Sequence, residues 1–303
     1  MERTEQIWLD GKFVPWEAAN VHVLTHTLHY GLGVFEGVRC YAGTGGSGIF
    51  RLAEHTERLF ASAHILGMEI PFSRDEINAA CVETVRRNRL ESCYIRPLVF
   101  LGDGEMGLSA VHNPVRVTIV VWPWGSYLGD AGVRDGIRVK TSSFQRFTVN
   151  SLMSKAKVCG HYVNSILASV EARRSGYDEA LMLDTDGFVA ECSGENIFIV
   201  KGGRVKTSPL TSVLPGITRD TVMTLLDDQG IGCREDRFSR DEVYIADEAF
   251  LTGTAAEITP IRELDDRRIG NGRPGPVTQT LQASYAKIVR GEEPRYRHWF
   301  APV

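Results

Sequence analysis

The stretch EALMLDTDGFVAECSGENIFIVKGGRVKTS, residues 179–208, sets short apolar runs end to end with only turn residues between them. Asp186-Gly187 and Gly202-Gly203 mark chain reversals, so the stretch reads as two successive hairpins. Parallel strands need a long crossover, usually a helix, and none intervenes here. The hairpins therefore argue against a doubly wound sheet and for an α+β fold with mixed sheets and surface helices.

The rest of the chain agrees. QIWLDGKFVPW is a hairpin around Asp10-Gly11, while CYIRPLVFLGDGEMGL, RVTIVVWPW and IRVKTSSFQR each carry a strand. HTERLFASAHILGM has Leu59, Ala63 and Leu66 at helical spacing and ends at Gly67. Ser73 with Glu76, and Ser239 with Glu242, form capping boxes that open helices. GHYVNSILASVEARRSG is a helix with Val163, Ile166, Leu167 and Val170 on one face. ITRDTVMTLLDDQG is a further helix, AFLTGTAAEITPIREL is strand, tight turn and strand, and PVTQTLQASYAKIVRG is a closing helix. Between them WPWGSYLGDAGVRD lacks periodicity and reads as a linker. The expected organisation is a small N-terminal α/β domain at 1–121, a linker at 122–135 and a larger C-terminal domain at 136–303.

At 303 residues, 43% hydrophobic and 24% charged, with a formal net charge of −4, the chain has ordinary globular composition. No basic block marks a nucleic-acid partner, and no apolar run approaches a membrane span. The six cysteines are scattered and the first residues are charged, which points to reduced thiols in a cytoplasmic protein.

Several clusters invite chemistry. GLGVFEG has the wrong spacing and frame for a dinucleotide fingerprint and reads as a glycine turn beside a pocket. His22, His26 and His29 have β-branched neighbours and no carboxylate at a useful offset, so they read as structural and no metal is expected. GITRD, residues 216–220, is either an ordinary helix start or a phosphate site, since helix-initial amides attract anions. TGTAAE, residues 252–257, is a second candidate anion nest. In ECSGEN, Glu191 and Ser193 share a face that Glu195 need not share; Glu191 is either exposed at a turn or set to hold a protonated ring nitrogen. SLMSKAKVCGHY, residues 151–162, contains Lys155 and Lys157. Either could be an ordinary surface lysine. A lysine pressed among Ala156, Val158 and Cys159 would instead lose solvation and become an imine-forming amine.

Taken in order, HTLHYGLGVFEGVRCY, HTERL, YIRPLVFLGDGEMGL, WPWGSYLG, K-x-x-G-x-Y, E-x-S-G-E-N-I-F, LPGITRD and TGTAAEITP closely resemble the branched-chain amino acid aminotransferases. These are class IV, fold type IV pyridoxal 5'-phosphate enzymes, with the two-domain fold of D-amino acid aminotransferase, and the resemblance runs from about residue 7 to 290. It implies that Lys157 forms the Schiff base, that Glu191 holds the pyridine nitrogen and that Tyr162 binds the ring oxygen. It places the phosphate on Arg58, the amides of Ile217 and Thr218, and Thr254. It draws the substrate pocket from Tyr30, Phe35, Tyr94, Arg96, Trp124, Tyr127, Thr254 and Ala255, with Met106 and Leu108 from a neighbouring subunit. The implied reaction is ping-pong transamination of Leu, Ile or Val with 2-oxoglutarate, with a 1,3-proton shift by Lys157. The implied assembly is at least a homodimer, with a hexamer as a trimer of dimers. Cys159, His161 and Cys192 depart from the family's usual K-x-G-G-N-Y and E-G-[AS]-G-E-N. Alternatives within the fold are a D-amino acid or (R)-amine transaminase or a specialised biosynthetic aminotransferase; outside it, a non-catalytic cofactor-binding protein.

Overall fold

The structure, a computed structural model, describes residues 2–125 and 128–303. It forms two compact units. The first comprises Met1–Trp124, Ala156–His161 and Lys287–Val303; the second comprises Gly125–Lys155 and Tyr162–Ala286.

The first unit is built on an eight-stranded sheet. Its strands run, across the sheet, Phe300–Pro302, Gly46–Phe50, Val38–Gly43, Cys93–Leu101, Val115–Trp122, Gln6–Leu9 and Lys12–Pro15, with Gly33–Phe35 also paired to Cys93–Leu101. All these pairings are antiparallel. Alternation places Val117, Ile119 and Val121 on one face, where they meet Leu59 and Ala63 of helix Leu52–Ile65 and Ile77, Cys81 and Val85 of helix Arg74–Arg87. The expected capping box at Ser73 is formed in both directions.

The second unit holds a nine-stranded mixed sheet. The expected hairpins are present: Glu179–Leu183 with Val189–Cys192, Asn196–Lys201 with Arg204–Thr207, and Glu248–Gly253 with Glu257–Leu264. Parallel pairings join Ile137–Thr141 to both Glu179–Leu183 and Glu257–Leu264. Phe198 and Phe250 are register partners, fully buried, with rings stacked at 5.1 Å and 4°.

Four local differences from the sequence reading have physical causes. Residues Gly129–Asp135, expected as linker, form a short helix closed by Gly136 at φ 86. Residues His26–Tyr30 form a helix despite their β-branched neighbours, ended by left-handed Gly31. In helix Tyr162–Arg174 the buried residues are Ser165, Ala168 and Ala172, because small side chains let the helix approach Ala180 and Met182 closely. Val163, Ile166, Leu167 and Val170 face outward instead. Helix Pro276–Val289 does not close the chain; Phe300–Pro302 follows and covers the edge strand Gly46–Phe50.

The stacked phenylalanines give a test of the second core. Phe250→Ala should lower stability by about 3–5 kcal/mol, read as a lower denaturant midpoint of the cofactor-free protein with little change in slope. A loss under about 1 kcal/mol would show that this ring pair does not organise the core.

Candidate active site

In the first unit Lys157 is held by its backbone. Its carbonyl accepts from Phe35 N at 3.1 Å, its amide donates to Ser62 Oγ at 3.0 Å, and Val158 bridges Val34. Residues around Lys157 thus run beside strand Gly33–Phe35. Lys157 Nζ lies 5.2 Å from the centre of the Phe35 ring, and the residue is half-buried. Lys155 groups with the second unit, where its Nζ donates to Val213 O at 3.2 Å. Partial desolvation pushes the Lys155 ammonium down, the Glu191 charge opposes this, and Arg219 adds to the lowering.

Arg58 sits on helix Leu52–Ile65 against a carboxylate that the sequence reading passed over. Glu36 Oε1 accepts from Arg58 Nε at 2.6 Å, and Glu36 Oε2 accepts from Arg58 Nη2 at 2.9 Å. His55 Nδ1 lies 2.7 Å from Glu36 Oε2. Burial would raise the Glu36 carboxyl, but the Arg58 charge and the hydrogen bonds of His55 and Arg58 hold it well below the usual range. For His55 burial is the largest influence and lowers its proton affinity, with Glu36 opposing. The ionised carboxylate can only accept, so His55 Nδ1 carries the proton.

The same unit gathers most of the expected pocket residues. The Arg96 guanidinium lies 4.5 Å from the Phe35 ring, 5.4 Å from Tyr94 and 5.7 Å from Trp122. Tyr94 also packs on Trp122 and Trp124, each at 5.1 Å. Arg96 Nε has no hydrogen-bond partner among the described residues. Glycine at 37 is required by this packing, since a Cβ there would collide with Tyr94 Oη. Cys159 is a half-buried thiol pushed up to about 11 by desolvation, with the Arg96 charge opposing. Tyr30 is exposed and packs on His26 at 4.6 Å. Met106 and Leu108 lie on a loop braced by Asn113, whose side chain bonds both N and O of Glu105 at 2.9 Å. Leu108 is 87% exposed.

The second unit supplies the remaining expected groups. Glu191 is buried on strand Val189–Cys192 and pairs with Arg146 Nη2 at 2.6 Å. Its other oxygen accepts from Leu214 N at 3.2 Å and Asn196 Nδ2 at 3.3 Å. Asn196 also donates to Leu214 O at 3.1 Å, which pins the loop entering helix Ile217–Asp228. Gly216 is the extended N-cap of that helix, and a Cβ there would collide with Asn196 Oδ1. Ile217 and Thr218 are its first buried residues, so their amides lie at the positive end of the helix dipole. Thr254 and Ala255 occupy the turn between strands Glu248–Gly253 and Glu257–Leu264, where Glu257 takes a left-handed φ of 54. Tyr162 begins helix Tyr162–Arg174. Tyr127 lies outside the described residues.

Glu36, His55, Arg146 and Asn196 are the groups the sequence reading missed. Glu36, His55 and Asn196 stand inside quoted motifs, and for Glu36 the usable signal was a lone acid within the apolar run VFEGV. Arg146 ends IRVKTSSFQR and carries no local signal at all.

The first unit thus offers an amine on Lys157 and a carboxylate–arginine pair, and the second a buried carboxylate–arginine pair and an anion-attracting helix start. Residues 33–264 match the family described as amino-transferase class IV, and the chain belongs to that family. It is 56% identical to a branched-chain-amino-acid aminotransferase of Pseudomonas aeruginosa over 98% of this chain and 97% of that one. The crystal structure of the Escherichia coli branched-chain amino acid aminotransferase aligns with TM-score 0.96 at 44% identity, covering 98% of this chain and 99% of the other. The branched-chain amino acid aminotransferase of Thermobaculum terrenum, in its PLP-bound holo form, aligns with TM-score 0.93 at 37% identity, covering 100% and 99%.

The buried acid–base pair gives a pH test. A folded proton affinity below the unfolded one means that the unfolded chain takes up protons first on acidification. His55 should therefore cost stability as pH falls below 6.5, and Glu36 as pH falls below 4.5. In the cofactor-free protein, His55→Asn should flatten the stability curve just below pH 6.5 while leaving the steeper fall below pH 4.5. Superimposable curves for the two proteins across that window would refute the assignment.

Proposed function

We propose that this chain transfers the amino group between branched-chain L-amino acids (Leu, Ile, Val) and 2-oxoglutarate, with pyridoxal 5'-phosphate as cofactor. The observation that carries this reading is the 56% identity across 98% of the chain to a protein named for that activity. The donor set suits the cofactor. Lys157 offers an amine for an aldehyde, Glu191 an anion for a protonated ring nitrogen, and Arg58 with the amides of Ile217 and Thr218 a seat for phosphate. Thr254 adds a hydroxyl to the phosphate and Tyr162 a phenol to the ring oxygen.

When bound, the cofactor supplies an electron sink for charge developing at the substrate Cα. The chain's own groups do the rest. Lys157 Nζ holds the cofactor, and as a free amine it moves the proton in general acid–base catalysis. Glu191, ion-paired to Arg146, keeps the ring-nitrogen proton in place. Phe35, Tyr94 and Trp124, with Tyr30, give apolar walls for a branched side chain. Arg96 pairs with the side-chain carboxylate of the second substrate.

Surfaces that one chain leaves exposed support the proposed assembly. Val163, Ile166, Leu167 and Val170 form an exposed apolar helix face, and Met106 and Leu108 stand on an exposed loop. These support at least a homodimer whose loop reaches a neighbour's pocket, with a hexamer of three such dimers as the larger form. No described helix is long and apolar enough to cross a membrane, and the cytoplasm is the proposed compartment.

Borohydride reduction of the loaded protein should bleach its colour and leave the cofactor's mass on Lys157. Label on Lys155, or on neither lysine, would sink the assignment. Separately, Arg96→Leu should depress turnover with glutamate at least about tenfold more than with leucine, the effect of losing one charge-assisted hydrogen bond. An equal fall for both donors would place Arg96 elsewhere in the reaction.

A further inference from the structure

The cluster below Arg58 does more than neutralise it. Glu36, His55 and Arg58 have side chains only 1%, 2% and 11% exposed. His55, Arg58 and Ser62 fall three and four residues apart on helix Leu52–Ile65, so they share one face. That face addresses two partners within the first unit. His55 and Arg58 grip Glu36, while Ser62 Oγ accepts the amide of Lys157. Glu36 in turn follows Phe35, whose amide binds the Lys157 carbonyl, and its own amide donates to Pro97 O at 2.9 Å.

The geometry of the grip is informative. Nε and Nη2 of Arg58 form one edge of the guanidinium plane, and both bind Glu36. A planar fork held on one edge cannot rotate, so the direction of its remaining N–H groups is set. A carboxylate with two oxygens could swing about its own bond. His55 prevents that by donating to the oxygen that also receives Nη2. A carboxylate also lowers the net charge beside an anion site, a poor choice if charge alone were wanted there. Orientation is what it adds.

We propose that Glu36, locked by His55, is a positioning residue that aims the Arg58 guanidinium at the phosphate of the cofactor. This rests on the phosphate role given to Arg58 above. It predicts that damage to the pair is felt through the phosphate and not through the rest of the cofactor.

The test compares the binding of pyridoxal 5'-phosphate with that of pyridoxal, which lacks the phosphate, to cofactor-free protein. Glu36→Gln should weaken the phosphorylated compound about 10- to 100-fold, the range for losing a partner that orients a ligand group, and leave pyridoxal within about twofold. The 31P resonance of bound cofactor should shift in the same variant. His55→Leu should follow Glu36→Gln, whereas His55→Asn, whose amide can donate in place of Nδ1, should retain most of the affinity. Arg58→Ala is the control. If it weakens the phosphorylated compound while Glu36→Gln and His55→Leu do not, the positioning role is overturned and the phosphate role stands. If Arg58→Ala changes nothing, both fall. Equal weakening of the two compounds in folded Glu36→Gln would mark a structural role only and overturn the inference. Should Glu36→Gln fail to fold, the two His55 variants decide by the same comparison.

Discussion

A carboxylate withdrawn from water costs several kcal/mol unless a cation and hydrogen bonds replace the lost solvent, and each unit of this chain contains such an arrangement. Glu36 is answered by Arg58 and His55, and Glu191 by Arg146, Asn196 and the Leu214 amide. A buried ion pair is seldom the most stable filling for its space, because apolar residues of like volume often serve as well or better. Stability therefore does not explain these pairs. What they provide is a fixed direction: a guanidinium gripped along one edge in the first unit, and a carboxylate gripped at both oxygens in the second.

Those directions depend on backbone that cannot drift. Lys157 is tied through its carbonyl to Phe35 and through its amide to Ser62, so strand Gly33–Phe35, which leads directly into Glu36, also carries the lysine. In the second unit Asn196 joins Glu191 to the Leu214 carbonyl, and the missing side chain of Gly216 lets the loop lie against it. In both places a short strand, a turn and a helix meet. Most of their hydrogen bonds run between residues eighteen or more apart in sequence, which makes the positions stiff without needing a disulfide.

This also explains what could be read in advance. Period-two runs, Asp-Gly and Gly-Gly turns and capping boxes are local, and the hairpins and the helices at Ser73 and Ser239 followed from them. The return of Phe300–Pro302 to Gly46–Phe50 joins opposite ends of the chain, and no local pattern encodes it. Helix Tyr162–Arg174 was legible as a helix but not in its orientation, since alanines can face a close-packed sheet as well as valines and leucines can. The site divides in the same way. Motif order pointed to Lys157 and Glu191, but Glu36, His55 and Arg146 have meaning only through contacts that folding creates.

The aromatic setting of Arg96 bears on how one pocket can accept both an apolar and an acidic side chain. A guanidinium left among hydrocarbon would demand an anion at all times, and an apolar substrate beside it would leave that demand unmet. Here the faces of Phe35, Tyr94 and Trp122 surround the cation at 4.5, 5.4 and 5.7 Å. Each ring offers the charge a weak, undirected attraction on the order of 1 kcal/mol. Such rings partly satisfy the cation without occupying its N–H groups, and Nε remains without a hydrogen-bond partner among the described residues. An incoming carboxylate can then add a directed bond, while an aliphatic chain finds ring surface and only a modest penalty. On the proposed reading, the two halves of the reaction share a pocket because its one directed cation is cushioned by undirected partners.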